Sequence, residues 1–68
     1  MSYEHDGHAV ETSATKTQRG WKPQLRIDGA VRTFAASGRF PFKFFRDEEE
    51  ALIYADACAE WIINNRLN

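Results

Sequence analysis

The stretch FFRDEEEALIYADACAEWIINNRL, residues 44–67, decides how the rest of the chain is read. Asp47 followed three residues later by Glu50 has the form of a capping box, with Asp in place of the usual Ser or Thr. The Asp47 carboxylate is placed to accept from first-turn amides, and Glu48 and Glu49 add charge that suits the positive end of a helix dipole. Losing such a cap costs ~1 kcal/mol. At helical period, Ala51, Leu52, Ala55, Cys58, Ala59, Ile62 and Ile63 gather on one side, and Glu49, Glu50, Asp56, Glu60 and Asn64 on the other. The run holds neither Pro nor Gly and is rich in Ala, so propensity agrees with the pattern. Asn64, Asn65 and Arg66 suit its fraying, negative end. A long amphipathic helix needs a surface to cover, and the residues before it must supply one.

Working backward, residues 39–45, RFPFKFF, place Phe40, Phe42 and Phe44 on one face of an extended segment, with Arg39, Pro41, Lys43 and Phe45 on the other. In residues 21–28, Trp21, Pro23, Leu25 and Ile27 alternate with Lys22, Gln24, Arg26 and Asp28, the half-buried strand pattern. Pro23 cannot donate to a ladder, which puts this strand at an edge or limits its pairing to residues beyond Pro23. Asp28-Gly29 and Ser37-Gly38 are turn signals, so the middle strand is expected over residues 30–36. A two-residue turn at Asp28-Gly29 would pair Leu25 with Arg32 and bring arginine to the apolar face. A three-residue loop pairs Ile27 with Val31 and Leu25 with Thr33 and keeps the faces apart, and it is the expected register. The fold class that follows is α+β: a three-stranded antiparallel meander with one C-terminal helix packed on one face. Residues 1–18 lack apolar periodicity, Tyr3 and Val10 being their only sizeable apolar side chains after the first Met, and are expected to be a flexible tail. Residues 19–68 then form a single small domain.

Composition bounds the function. The 68 residues carry 9 basic and 10 acidic groups, so net charge alone points to no nucleic-acid partner. One Cys excludes an intramolecular disulfide framework and leans toward a reducing cytoplasm. No run has the length of a signal-peptide core or a membrane span, and a cytoplasmic protein without membrane association is the expectation. A domain this small sits near the limit of what one core can stabilise, for which self-association is a common remedy.

The charges are unevenly placed. Eight basic residues and one acid fall between Lys16 and Arg46, whereas six acids and one base follow from Asp47 onward. On the expected faces, Lys22, Gln24, Arg26, Arg32, Phe34 and Lys43 share the side of the sheet away from the helix. Guanidinium groups beside an aromatic ring suit phosphate pairing and base stacking. A solvated sheet face also needs polar residues, and lysine and arginine protect edges from aggregation. Tyr54 and Trp61, seven residues apart on one flank of the helix, are a candidate partner or homodimer surface if they do not bury against the sheet; Ile53 lies still further out.

His5, Asp6 and His8 are too few and too loosely held to form a structural metal site. Cys58 faces the apolar side of the helix, far in sequence from either histidine, and reads as a packed thiol. No catalytic, cofactor or metal residues are assigned, and the chain reads as a non-enzymatic interaction module, with nucleic-acid binding as the alternative.

The order of three strands followed by Phe45, Glu48, Glu49, Glu50 and Ala51 opening a helix resembles several small bacterial domains of unknown function. It is also similar to the amino-terminal arm-binding domain of tyrosine-type integrases. That second resemblance, which covers residues 21–63, implies a sheet that enters DNA.

Overall fold

The computed structural model describes residues 1–67. Four strands, β1 (Ser2–His5), β2 (His8–Thr17), β3 (Gly20–Ile27) and β4 (Ala30–Arg32), form an antiparallel meander in the order β1-β2-β3-β4. A single α-helix, α1 (Glu48–Ile62), lies across β2 and β3. It ends in a wider π-helical turn, Ile63–Leu67, where the Asn65 side-chain amide donates to the Trp61 carbonyl at 2.8 Å. The class is α+β with one C-terminal helix, as expected, but the sheet has four strands rather than three.

The segment expected to be a flexible tail builds half of the sheet. Its alternation is written in small and polar residues: Tyr3, Val10, Thr12 and Ala14 face α1, while Ser2, Glu4, Glu11 and Ser13 face away. Asp6 and Gly7 have φ of 49° and 83°, which lets two residues turn β1 into β2. Val10 is buried in the core, and Thr12, 3% exposed, donates its hydroxyl to Asp56 Oδ1 at 2.8 Å. The Tyr3 hydroxyl donates to Glu60 Oε2 at 2.9 Å. Large apolar side chains do not mark β2, because its inward face sets Val10 beside Thr12, whose hydroxyl is satisfied on the helix.

The turn at Asp28-Gly29 is the two-residue form. Asp28 and Gly29 have φ of 53° and 81°, and the pairs are Ile27 with Ala30, Arg26 with Val31 and Leu25 with Arg32. The segregation of faces that favoured a longer loop is overridden from the neighbouring hairpin. The Asp28 carboxylate accepts from the Ala9 amide at 3.0 Å and contacts His8 Nδ1 at 2.6 Å, and the Asp28 amide donates to the Ala9 carbonyl at 2.8 Å. Arg32 consequently shares the Leu25 side, where its aliphatic stem can lie along apolar surface, and Val31 is left 69% exposed on the other.

Pro23 explains why β4 is short. In this register Ile27, Leu25, Pro23 and Trp21 turn their backbone groups toward β4, and the intervening residues turn theirs toward β2. The missing amide of Pro23 therefore costs the β2–β3 ladder nothing but leaves β4 without a donor one pair beyond Leu25–Arg32. The chain leaves the sheet into a 3-10 turn, Phe34–Ser37, capped by Thr33, whose Oγ1 accepts from the Ala36 amide at 3.2 Å. Residues 39–44 form no ladder strand. The chain rejoins β3 only at Phe45, where Trp21 and Phe45 exchange backbone hydrogen bonds of 2.7 and 3.0 Å. Gly20 makes that return feasible, because its φ is 120° and a Cβ there would stand 2.5 Å from the Phe45 carbonyl oxygen.

The core lies between α1 and the sheet: Val10, Leu25 and Ile27 below, Ala55, Cys58, Ala59, Ile62 and Ile63 above, and Phe34 closing one side. Asp47 caps α1 as read from the sequence, accepting from the Glu50 amide at 2.8 Å. Alanines on the buried stripe let the helix approach the strands closely.

Candidate functional site

The sheet face away from α1 is not the basic surface expected from the sequence. Of its candidates, Lys22 and Arg26 do project there, but β1 and β2 add Glu4 and Glu11 to the same face. Glu11 is the direct cross-strand neighbour of Arg26 and Thr15 that of Lys22, so the face carries two bases and two acids and has no net formal charge. The remaining positions are mostly Ser, Thr and Gln, the composition of a solvated face. Arg32 lies on the opposite side, Phe34 is 4% exposed within the core, and Lys43 lies over the rings of Phe45 and Tyr54, at 5.2 and 5.1 Å.

Tyr54 is largely committed inside the molecule. Its ring stacks on Phe34 at 5.7 Å and meets Phe40 and Phe45 at 5.4 and 4.9 Å. Its hydroxyl donates to the Pro41 carbonyl at 2.7 Å. Trp61 is half-buried, with the Arg66 guanidinium 5.5 Å from its ring. Arg66 Nη2 also donates to the Ser37 carbonyl at 3.2 Å, tying the end of the helix to the 3-10 turn.

Several surface hollows remain, among them three with aromatic walls. The first, of about 310 Å³, lies on the outer flank of α1 and is lined by Phe45, Glu50, Ile53, Tyr54 and Ala57, with Ile53 60% exposed. The second, of about 450 Å³, gathers Arg19, Lys22, Phe42 and Phe44 beside the β2–β3 turn. There the Arg19 guanidinium is 6.0 Å from the Phe44 ring, and Phe42, 46% exposed, meets Phe44 edge-on at 5.2 Å. The third, of about 350 Å³, occupies the gap in the sheet edge that Pro23 creates. Pro23, Leu25, Val31, Phe34, Ala35 and Phe42 line it, with Lys22, Gln24 and Arg32 beside them. The Arg32 Nε is buried and has no hydrogen-bond acceptor. Sequence periodicity missed the second and third hollows because both depend on residues 33–44 leaving the sheet.

Other polar groups tie elements of the fold together. His5 Nε2 is 2.9 Å from Asn64 Oδ1, and His8 joins the Asp28 turn. Burial and the hydrogen bond to Glu60 push the Tyr3 hydroxyl far above its usual range. Burial likewise raises the Cys58 thiol, which keeps it protonated. Among the described residues, no group of three or more His, Cys, Asp or Glu side chains is placed to hold a metal ion, and no helix is long and apolar enough to cross a membrane. In comparisons with known proteins, no family model, no curated protein and no solved structure matches this chain.

Proposed function

We propose that this chain is a non-enzymatic interaction module that pairs with a second copy of itself through the outer flank of α1. The observation that carries this reading is the exposed Ile53 beside the apolar hollow of Phe45, Tyr54 and Ala57. A protruding side chain next to a recess on one surface is the self-complementary arrangement a two-fold interface requires. Lys43 and Glu50 border the same patch with opposite charges, so each can face its complement in the second copy. Trp61 extends the flank one pair of turns further. The single, buried Cys58 suits a reducing cytoplasm as the compartment.

Sedimentation equilibrium tests this. The wild-type chain is expected to populate a dimer that weakens with salt. Ile53→Glu is expected to raise the dissociation constant at least tenfold while the far-UV spectrum stays unchanged, because Ile53 contributes little to the core. A wild-type chain that stays monomeric at high concentration, or an Ile53→Glu variant that pairs equally well, would sink the proposal.

A second reading, single-stranded nucleic-acid binding, is favoured by the hollow where Arg19 and Lys22 flank Phe42 and Phe44. Binding of a fluorescent oligonucleotide should then fall with salt, and the salt slope should shrink by about 0.7 for each of Arg19→Glu and Lys22→Glu. An unchanged slope in folded variants excludes this use of the hollow.

A further inference from the structure

We propose that the gap in the sheet edge is a binding site for a small carboxylate with an apolar body, independent of any pairing through α1. Pro23 stops β4 from continuing along β3, and the chain bows outward through Phe34 before returning at Phe45. What is left is a cleft of about 350 Å³, at the small end of the range for small-molecule sites. Its walls are apolar, and Phe42 and Val31, 46% and 69% exposed, stand at its margin.

Two cations qualify that apolar character. Lys22 and Arg32 both line the cleft, and no acidic side chain does. The Arg32 Nε is cut off from water yet has no acceptor. Buried donors are ordinarily paired, and an orphaned one costs free energy that the Arg32 side chain recovers by turning toward a ligand oxygen in the cleft. A carboxylate is the natural acceptor, since its two oxygens match the guanidinium fork. Phe34 and Phe42, whose rings are 6.0 Å apart, then receive the apolar body. An uncharged apolar ligand would fill the walls and leave Nε unpaired. An inorganic anion would pair with Nε and leave the aromatic walls exposed to water.

Octanoate is the probe, with octanol and octylammonium as controls, titrated calorimetrically into the full chain and followed through the Arg32 Nε–H resonance. Saturable octanoate binding is expected, with octanol at least tenfold weaker and octylammonium weaker still, and the Nε–H signal should shift on saturation with octanoate only. Arg32→Met keeps an apolar stem and removes the charge. It should weaken octanoate about tenfold or more, as loss of a charge-assisted hydrogen bond does, and leave octanol unchanged. Phe42→Ser, at a half-exposed position that does not threaten folding, should weaken both. Absence of saturable octanoate binding, equal affinity for octanoate and octanol, or an Arg32→Met variant that binds octanoate like wild type would each overturn the assignment.

Discussion

Val10→Ala separates an integral first hairpin from a passenger tail. Val10 is 1% exposed and packs in the same cluster as Ile27 and the helix residues Ala59 and Ile63. The substitution removes two methyl groups from the core, about 1.6 kcal/mol of transfer free energy at ~0.8 kcal/mol per group. The unfilled space adds to this, because β2 is held on both sides by ladders and cannot collapse inward, for a total of about 2–3 kcal/mol. Against the ~3–10 kcal/mol typical of a chain of this length, that is a large fraction. Urea unfolding followed by both tryptophan fluorescence and far-UV circular dichroism reads it as a lower midpoint at unchanged slope. Thermal unfolding should drop by roughly 8–24 °C, at ~4–8 °C per kcal/mol for a domain this small. The near-isosteric Val10→Thr should also destabilise, by burying a hydroxyl. A loss below about 0.5 kcal/mol in Val10→Ala, the scale of a surface substitution, would refute the reasoning that β2 is part of the core.

Gly20→Ala should destabilise by about 2 kcal/mol or more, because the residue has φ of 120° and its new Cβ would meet the Phe45 carbonyl oxygen. Gly7→Ala, with φ of 83° but open space around it, should cost visibly less in the same urea assay, and equal losses would contradict the close approach at Phe45. Asp28 is held below the usual carboxylate range by its hydrogen bond to His8 and then by the Ala9 amide. A depressed folded value means its stabilisation is complete above its ordinary 3.8 and disappears as pH falls through the folded value. The urea midpoints of wild type and Asp28→Asn should therefore converge in acid, and a gap that stays constant across that range would rule out the Asp28 carboxylate as its source.

What the sequence made legible was whatever depends on local pattern. The helix, its Asp47 cap and its buried Ala55–Cys58–Ala59 stripe follow from periodicity and end chemistry alone. The inward face of β3 was equally plain, since Leu25 and Ile27 alternate with charge. β2 was not, because Thr12 satisfies its buried hydroxyl on Asp56, a partner 44 residues away that no local window contains. The Asp28-Gly29 register is hidden from a local window for a related reason: Ala9 and His8 fix that turn from another hairpin. The expected third strand failed because exposed backbone, Pro41 and packing of Phe40 and Phe45 around Tyr54 together outweigh a ladder along residues 39–44. The candidate basic face went with it, since it required both the wrong register and the absence of Glu4 and Glu11.

The meander also sets a folding order. Each strand of the sheet pairs only with its neighbours in the chain, through three two-residue turns, so the ladders close over short loops on the ~1–10 μs scale of isolated hairpins. The contacts from α1 back to β1 and β2 span most of the chain, up to the 57 residues between Tyr3 and Glu60, and are the entropically expensive ones. Docking of the helix is therefore expected to come late in folding. Substitutions at Ala55 or Cys58 should act mainly on how fast the native state is lost, whereas changes in the turns should act on how fast it is reached.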